Sequence, residues 1–325
     1  MKILITGGLG FVGIHLVRFM AEKGADVIAT DIAVPDARIQ AFLNPVKSRV
    51  KIKSLDVRQR AAFETLVQEE NVDSIIHAAA VTPDFITEKT RMETILDANL
   101  GGSLNAILIT SKIQCVQNLI LCSSSGLYGA APPPEAPLQH ESDPLDLDNL
   151  YAITKYSAEL LGQRCGLLSG KRITSVRLAS IYGEMEYPNA SRETMSHIGR
   201  LWQARNSSKK VLVTGKKVER DWMYAGDLAE AVWGLLEAPK WHYPVYNIGT
   251  AGVISFETIV EIFSRFGLGY EWEEDPGKAD IAMRPDQARA PMDISRLKED
   301  ANFSFGSDPQ KSLEQYLFKK TSQFG

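Results

Sequence analysis

Short apolar runs alternate with amphipathic helical stretches through the first half of the chain. Runs such as I-L-I at residues 3–5 and S-I-I at residues 74–76 resemble strands that are buried on both faces of a parallel sheet. Strands are predicted at Lys2–Thr6, Asp26–Thr30, Val50–Ser54, Ser74–His77, Asn118–Cys122 and Ile173–Arg177. Helices are predicted at Val12–Lys23, Arg58–Glu69, Thr90–Ile113 and Leu150–Leu168. This alternation is typical of an α/β fold built on a doubly wound parallel sheet.

The alternation ends near Tyr182, and the rest of the chain predicts short strands and helices without a regular βαβ unit. No Gly/Ser-rich linker separates the two parts, so we expect them to share a core. The pattern predicts a sheet domain over residues 1–180 and a smaller C-terminal α/β lobe over residues 181–325, with the chain crossing between them. The Pro-rich run at 131–137 is predicted to be a loop, because proline cannot continue a helix or an inner strand.

The composition is that of an ordinary soluble globular protein, with 44% hydrophobic and 23% charged residues among 325. The net charge of −4 gives no electrostatic reason to expect a nucleic acid or an anionic membrane as partner. No apolar run approaches the roughly 20 residues that span a bilayer, and the chain opens directly with a predicted strand. Three cysteines without metal-ligand spacing indicate buried thiols rather than a metal site. We therefore expect a cytoplasmic protein that acts on a small molecule.

A glycine-rich turn lies between the first predicted strand and the first predicted helix. The run T-G-G-L-G-F-V-G at residues 6–13 has glycines at positions 7, 10 and 13. Gly7 allows a sharp turn, Gly10 lets a pyrophosphate approach the main chain, and Gly13 lets the helix pack closely on the strand. The free N–H groups of the following helix would bind the phosphates. The run therefore predicts a Rossmann-type doubly wound sheet with a dinucleotide site, in which Phe11 and Val12 also contact the cofactor.

Two carboxylates follow the second and third predicted strands. Asp31 lies 18 residues after Gly13, where it would accept hydrogen bonds from the adenosine ribose hydroxyls and repel a 2′-phosphate. No arginine occupies the next two positions, so the sequence predicts NAD rather than NADP. Asp56 and Val57 are placed to reach the adenine, although Asp56 also suits the N-cap of a helix.

The run Y-A-I-T-K at residues 151–155 lies near the start of a predicted helix. The i, i+4 spacing places Tyr151 and Lys155 on one face, and a nearby ammonium favours the ionised form of a phenol. Tyr151 is therefore the expected general acid and base for a substrate hydroxyl, while Lys155 also holds the nicotinamide ribose. Three serines at residues 123–125 end the fifth strand. One of them is expected to bind the reacting oxygen, and the others to satisfy backbone groups.

These motifs resemble, nearly end to end, those of the extended short-chain dehydrogenase/reductase family, in particular its sugar-nucleotide epimerase/dehydratase branch. The S-S-x-x-x-Y-G pattern implies that the catalytic hydroxyl is that of Ser124, four residues before Tyr128. The family's central-helix and strand-four motifs imply further cofactor contacts at Asn99, Ala78, Ala79 and Ala80. The two long helices at 90–113 and 150–168 match a pair that often forms a dimeric four-helix bundle, so the resemblance implies a homodimer.

The resemblance also implies a substrate site on the second lobe. The run R-D-W-M-Y-A-G-D at 220–227 is similar to a segment whose arginine contacts the substrate diphosphate, and R-P-D at 284–286 matches a later motif. Two arginines at these positions suit two phosphates. Ser180 stands where many nucleotide-sugar members have an asparagine near the diphosphate. The residues expected to contact substrate are Thr82, Ser124, Ser125, Ser180, Arg220 and Arg284.

Departures from the family pattern narrow the reaction. The 4,6-dehydratases carry an Asp-Glu pair after the catalytic hydroxyl, where this chain has Ser125 and Gly126, neither of which serves as the required acid or base. The related decarboxylases carry a glutamate at the position of Gly126. The 3,5-epimerase/reductases use a cysteine in this region, but Cys122 precedes the serines and is expected to point into the sheet. These three reactions are therefore disfavoured.

Three functions remain open. The first is 4-epimerisation of a nucleotide sugar, through a transient 4-keto intermediate and with NAD retained. The second is oxidation of a hydroxyl on a smaller sugar, a sugar acid or another alcohol, which the serine at position 180 favours. The third is an NAD-binding regulator without catalysis, which is disfavoured because such proteins typically lose the tyrosine or the lysine, and this chain has both.

Overall fold

The computed structural model of the protein describes residues 1–130, 138–189, 191–205, 209–301, 303 and 308–324. The Pro-rich run at 131–137, predicted to be a loop, lies outside the described residues. The strands are β1 Lys2–Thr6, β2 Asp26–Asp31, β3 Val50–Ser54, β4 Ser74–His77, β5 Asn118–Ser124, β6 Arg172–Leu178, β7 Ser180–Tyr182, β8 Val211–Thr214, β9 Glu219–Arg220, β10 Trp222–Tyr224, β11 Val245–Ile248, β12 Ile254–Ser255, β13 Tyr270–Trp272 and β14 Ile281–Ala282. The helices are α1 Phe11–Glu22, α2 Ala37–Leu43, α3 Arg60–Glu70, α4 Phe85–Thr90, α5 Met92–Ile95, α6 Gly102–Lys112, α7 Leu150–Ser169, α8 His197–Arg205, α9 Ala225–Glu237, α10 Phe256–Arg265, α11 Ser295–Ala301 and α12 Pro309–Phe324.

The central sheet has seven parallel strands in the order β11-β6-β5-β4-β1-β2-β3. All six strands predicted from the sequence form, and three of them extend one or two residues farther than predicted. The strand order reverses between β1 and β4, and ligands of such sheets bind beyond the carboxyl ends of the strands at this reversal. The predicted Rossmann-type α/β fold is confirmed.

Helices cover both faces of the sheet because successive strand residues point to opposite sides. Ile3 and Ile5 of β1 pack in one core with side chains of α1 and α9. Leu4 packs in the opposite core with Phe63 of α3 and Ile107 of α6. The first core therefore includes a helix from beyond residue 180, and β11 also joins the large sheet from that part of the chain.

The predicted single helix at Thr90–Ile113 is divided in the structure. Arg91, with φ −131°, separates α4 from α5, and a π-helical turn at Leu96–Gly101 joins α5 to α6. Asn99 lies in this turn, where its side chain accepts from the N–H of Val81 at 2.7 Å and donates to the carbonyl of Val81 at 2.9 Å. Periodicity alone did not predict that this helix is divided, because the hydrogen bonds made at the π-helical turn join Asn99 to Val81 in the loop after β4.

The second lobe has a separate core in which Tyr182, Trp222, Phe256 and Phe263 are almost fully buried. A small parallel sheet in the order β13-β8-β14 lies beside this core. Two short strand pairs, β10 with β7 and β12 with β9, connect the second lobe to the segments that follow the large sheet. Among the described residues, no helix combines the length and the apolar character needed to cross a bilayer.

Candidate active site

A cavity of about 480 Å³ opens at the carboxyl ends of the central strands, where the strand order reverses. Most of the residues predicted to bind the cofactor line it: Gly7, Gly10, Phe11, Val12, Gly13, Asp31, Asp56, Val57, Ala78, Ala79, Ala80, Tyr151 and Lys155. Asn99 is fully buried behind the cavity wall. Its bonds to Val81, which itself lines the cavity, fix the loop after β4.

The glycine turn presents backbone rather than side chains to the cavity. Gly7 has φ +63°, and a Cβ added there would lie 2.7 Å from the Cα and the N of Ala79. A Cβ on Gly13 would lie 2.0 Å from the carbonyl oxygen of Gly7. No side chain among the described residues caps the N-terminus of α1, so its first N–H groups are available to an anion. This cradle fits the pyrophosphate of a dinucleotide.

Asp31 is held at the rim of the cavity by two backbone donors. Its Oδ1 accepts from the N–H of Ala33 at 3.0 Å, and its Oδ2 accepts from the N–H of Leu9 at 3.2 Å. A carboxylate has about four lone-pair sites, so acceptor capacity remains for two ribose hydroxyls. The arrangement fits the ribose of NAD.

Asp56 also lines the cavity, in a pair with Arg58 that the sequence did not predict. Arg58 Nη2 lies 2.6 Å from Asp56 Oδ2, and its hydrogen bonds lower the pKa of the Asp56 carboxyl. The N-cap of α3 is Gln59, so the alternative role of Asp56 as the helix cap is not realised. Arg58 itself lines the cavity.

Tyr151 and Lys155 lie near the start of α7. Asn149 caps this helix, since its Oδ1 accepts from the N–H of Ala152 at 2.9 Å. The ammonium of Lys155 lies 5.6 Å from the centre of the Tyr151 ring and donates to the carbonyl of Cys122 at 2.8 Å. Lys155 is thereby fixed between the phenol and the end of β5, with both side chains on the cavity.

The three serines after Cys122 have different surroundings. Ser123 is buried and donates to Glu159 at 2.5 Å, and Ser125 is buried in the turn that follows β5. Ser124 is half-buried, and its Oγ accepts from the N–H of Gly126 at 3.0 Å, which leaves the hydroxyl hydrogen to be donated elsewhere. Neither of the two serines predicted to contact substrate, Ser124 and Ser125, lines the cavity, whereas Ser123 does.

The thiol of Cys122 lies in the core beside the sheet. Burial raises its pKa to about 11, although the charge of Lys155 acts in the opposite direction. A thiol with this pKa stays protonated at neutral pH and is a poor base or nucleophile. The sequence prediction that Cys122 points into the sheet agrees with this position.

A buried ion pair connects α7 to the sheet two turns after Tyr151. Glu159, four residues after Lys155, pairs with Arg177 of β6 at 2.8 Å, and both side chains are almost fully buried. Arg177 also donates to the hydroxyl of Tyr128 at 2.9 Å. Because Glu159 also accepts from Ser123, it fixes the position of α7 relative to the end of β5. The i, i+4 spacing of Lys155 and Glu159 was the only sequence signal for this role.

The predicted substrate residues do not all meet at the cavity. Thr82 lines it, and its N–H donates to the carbonyl of Ser191 at 2.8 Å. Ser180 is paired with β10 outside the cavity, and its Oγ is buried without a hydrogen-bond partner among the described residues. Arg220 is half-buried, whereas Arg284 is 59% exposed and pairs with Asp286 at 3.2 Å. The structure therefore does not place the two predicted arginines in equivalent environments.

Two further arginines near this part of the chain were not predicted from the sequence. Arg192 lines the cofactor cavity, with its guanidinium carbon 5.5 Å from the centre of the Phe11 ring. Arg289 is half-buried beside β9, where its N–H donates to the carbonyl of Glu219 at 2.9 Å. Neither arginine lies in a motif.

The glycine cradle, the Asp31 carboxylate at the cavity rim and the Tyr151–Lys155 pair on a doubly wound sheet are the features of an NAD-dependent enzyme. The chain belongs to the NAD dependent epimerase/dehydratase family, whose sequence model matches residues 3–249.

Relatives include a UDP-glucuronate 4-epimerase of Thermodesulfobacterium geofontis, which is 27% identical over 97% of this chain and 93% of its own length. A dTDP-4-dehydro-6-deoxy-D-allose reductase of a Streptomyces species is 28% identical over 95% of this chain and 91% of its own. The crystal structure of a UDP-glucose 4-epimerase of Thermus thermophilus with NAD superposes with a TM-score of 0.80 at 22% identity, covering 98% of each chain. The family thus includes epimerases and reductases that resemble this chain to the same degree.

Proposed function

We propose that the protein is a 4-epimerase that acts on a nucleotide sugar through a transient 4-keto intermediate. The observation that carries the proposal is the catalytic set itself. Tyr151 and Lys155 line the cavity, and Ser124 is the last residue of β5, directly after Ser123, which also lines it. The next two positions, Ser125 and Gly126, supply no second acid or base. Such a set suits the oxidation and re-reduction of one carbon. Elimination of water would need a second acid or base, which these two positions do not supply.

The acid–base steps follow from the side chains present. Tyr151 accepts the proton of the sugar hydroxyl, while the Lys155 ammonium stabilises the phenolate that is needed for this. Ser124 donates its free hydroxyl hydrogen to the reacting oxygen, which becomes a carbonyl oxygen. Bound NAD supplies hydride acceptance and return at the carbon. The keto sugar then turns the opposite face of its carbonyl carbon toward the cofactor. Tyr151 returns the proton to the oxygen, so the enzyme ends in its starting state.

Contacts across the cavity favour a cofactor that stays bound. Ser191 and Arg192 of the second lobe line the same cavity as the glycine turn. Ser191 accepts a hydrogen bond from the backbone of Thr82, and Arg192 lies over the ring of Phe11. These contacts link the segment before α8 to the cofactor domain on both sides of the cavity. An epimerase needs no cofactor exchange between turnovers, and a site covered in this way suits that requirement.

A dehydrogenase for a smaller sugar or sugar acid is the second candidate. The exposed position of Arg284, together with a serine at position 180, favours it, because both differ from the expected diphosphate site. Such an enzyme would release NADH at each turnover and bind NAD reversibly.

The cofactor content of the freshly purified protein separates the two candidates. Near-stoichiometric NAD that survives desalting and is recovered by acid release is the expected result. The NAD-containing protein would then be incubated with UDP-sugars and dTDP-sugars, and the C4 epimers would be separated. Protein that is empty as isolated, and that accumulates NADH with a sugar acid, would instead establish the dehydrogenase.

We also propose that a second copy of the chain covers the outer face of α7. Ile153, Leu160 and Leu167 recur at intervals of seven along this helix and are 42%, 49% and 73% exposed. Leu104 of the neighbouring α6 extends the same apolar surface. Apolar surface of this extent on adjacent helices is typical of a subunit interface.

A further inference from the structure

The segment between β7 and α8, residues 183–196, reaches from the second lobe to the cofactor domain. We call this segment the strap; the structure describes it at 183–189 and 191–196. The cavity that contains the glycine turn and Tyr151 is also lined by Asn189, Ser191 and Arg192 of the strap. A dinucleotide bound in the cavity would therefore lie between the strap and the edge of the sheet.

On one side, the strap contacts the helices that follow β1 and β2. The Nε2 of His15, on α1, lies 2.9 Å from the carbonyl oxygen of Glu184. Because a carbonyl oxygen only accepts, the ring of His15 carries a hydrogen on Nε2 and donates it. Tyr187 packs against α2, where the guanidinium carbon of Arg38 lies 4.0 Å from the centre of its ring. These two contacts hold the strap on the side of α1 and α2.

On the other side, the strap contacts the loop and the helix that follow β4. The carbonyl of Ser191 accepts from the N–H of Thr82 at 2.8 Å. The carboxylate of Glu193 accepts from the hydroxyl of Thr87 at 3.0 Å and lies 3.4 Å from the Nη1 of Arg91. The cavity opens where the strand order reverses between β1 and β4, so contacts on these two sides place the strap across it.

Within the strap, the buried carboxylate of Glu186 joins the first residues to the last. It accepts from the N–H and the hydroxyl of Ser196 at 2.7 and 2.6 Å, and it pairs with the Nη2 of Arg192 at 2.8 Å. A Cβ on Gly199 would lie 2.5 Å from the Oε2 of Glu186, so the carboxylate occupies space that a glycine leaves open. With both of its oxygens bound inside the segment, the strap is expected to move as one body.

The strap has a strained residue near its start and a weak attachment near its end. Met185 has φ +63°, which is unfavourable for a residue with a Cβ, so the surrounding contacts must maintain this conformation. The side chains of Glu193 and Arg91 are 51% and 37% exposed, and exposed ion pairs contribute little to stability. A rigid segment with a hinge residue and a weak attachment is typical of a loop that opens and closes over a ligand.

We propose that the strap closes over bound NAD and opens about Met185 for NAD to enter or leave, and that Glu193 is the positioning residue that keeps it closed. Glu193 acts through Thr87 and Arg91, and it is not among the described residues that line the cavity. The inference goes beyond the proposed function, because it concerns the exchange of NAD in an epimerase and in a dehydrogenase alike.

The test is the rate of NAD exchange by the whole chain, with no sugar present. Release of labelled NAD into an excess of unlabelled NAD gives the dissociation rate, and uptake by protein freed of NAD gives the association rate. Glu193→Ala is expected to raise both rates about 10-fold, because one hydrogen bond and one exposed ion pair are lost. The dissociation constant should change by less than about threefold, because the strap then opens more often both with and without NAD.

Thr87→Val removes the same hydrogen bond from the other side and should raise both rates about fivefold. Glu193→Gln keeps an acceptor for Thr87 and loses only the charge, so both rates should rise less than about threefold. The double variant Glu193→Ala/Thr87→Val should match Glu193→Ala, because the shared contact is lost only once. Glu257→Ala is the control, since Glu257 forms an exposed pair with Lys216 on the second lobe at 4.0 Å.

Three results would overturn the inference. A faster dissociation alone, with a weaker dissociation constant, would mean that Glu193 contributes to the affinity for NAD and does not control opening. Unchanged rates in both Glu193→Ala and Thr87→Val would mean that the strap does not limit exchange. An equal rise in Glu257→Ala would indicate a general loss of stability. Since no sugar is present, these rates do not depend on whether the protein epimerises a nucleotide sugar, so the two proposals fail separately.

Discussion

At the scale of single residues, we expect turnover to depend on the phenol of Tyr151. It lines the cavity near the start of α7, with the Lys155 ammonium 5.6 Å from its ring centre. Tyr151→Phe removes the only atom of this side chain that can exchange a proton and leaves the ring in place. We expect turnover to fall by about 10²- to 10⁴-fold with bound NAD unchanged, as measured by epimer formation and acid release.

Tyr156 provides the matched control on the same helix. It is half-buried but does not line the cavity, so Tyr156→Phe should retain activity. Full activity in Tyr151→Phe, or an equal loss in both variants, would show that the phenol of Tyr151 is not the acid and base.

We expect Asp31 to determine the choice between NAD and NADP. Its carboxylate is fixed at the rim by Leu9 and Ala33, where its charge would repel a 2′-phosphate. Asp31→Asn should bind NAD more weakly and reduce the preference for NAD over NADP by about 10-fold or more. Competitive binding of the two cofactors measures this ratio. Asp26→Asn, at the opposite end of β2, should leave it unchanged; rejection of NADP by Asp31→Asn would contradict the assignment.

Burial of His77 is expected to make the free energy of unfolding depend on pH. Its Nδ1 is 2.8 Å from the hydroxyl of Thr6, and burial, with the nearby charge of Lys155, lowers its pKa to about 3. Below about pH 6.5 the unfolded chain binds a proton at His77 that the folded protein does not bind. The free energy of unfolding therefore decreases as the pH falls from about 6.5 toward 3. Above about pH 6.5 the stabilising contribution of the buried neutral imidazole is fully present. Denaturant unfolding at several pH values measures the slope, which should be smaller in His77→Gln; an equal slope would contradict this.

At the scale of secondary-structure elements, the position of α7 against β5 depends on Glu159. Its carboxylate accepts from Ser123 and pairs with Arg177 in a site almost free of water. Removing one charge leaves the other buried and unpaired, so Glu159→Gln should reduce the free energy of unfolding by about 3 kcal/mol. Because Ser124 follows Ser123, we also expect kcat to fall with little change in KM.

Glu314 offers a surface comparison for the same substitution. It pairs with Arg265 at 2.9 Å, but both side chains are largely exposed, so Glu314→Gln should change the free energy of unfolding by less than about 1 kcal/mol. Equal losses in the two variants, or an unchanged kcat in Glu159→Gln, would exclude a positioning role for Glu159.

Much of the fold could be predicted from the sequence because it depends on local patterns. The buried parallel strands are short aliphatic runs, and the glycine turn and the Tyr151–Lys155 spacing each lie within a few residues. The role of Glu159 depends on Ser123 and Arg177, which are far away in the chain, so its i, i+4 spacing from Lys155 did not by itself predict that role. Arg192 lies over Phe11, which is also distant in the sequence, and no local pattern indicated this contact. The π-helical turn around Asn99 likewise accompanies bonds to Val81, which belongs to another loop.

At the scale of the whole molecule, the apolar face of α7 predicts association. Leu160→Glu should convert the proposed homodimer to a monomer, because a charge placed in an apolar interface is not compensated. Sedimentation or light scattering measures the mass. Val34→Glu is the control, since Val34 is 85% exposed and lies after β2, away from α7. A wild type that sediments as a monomer would contradict the proposed interface.

Because elements from the C-terminal half belong to the first lobe, the fold limits how this protein can acquire a new substrate during evolution. Since β11 pairs with β6 and α9 packs in the core of the first lobe, a fragment ending at residue 180 would leave β6 as an unpaired edge. Exchange of the C-terminal half as one module would therefore remove part of the framework that carries the cofactor. New specificities are expected to arise by substitution at positions such as Asn189, Ser191 and Arg192, which line the cavity and belong to no strand of the large sheet.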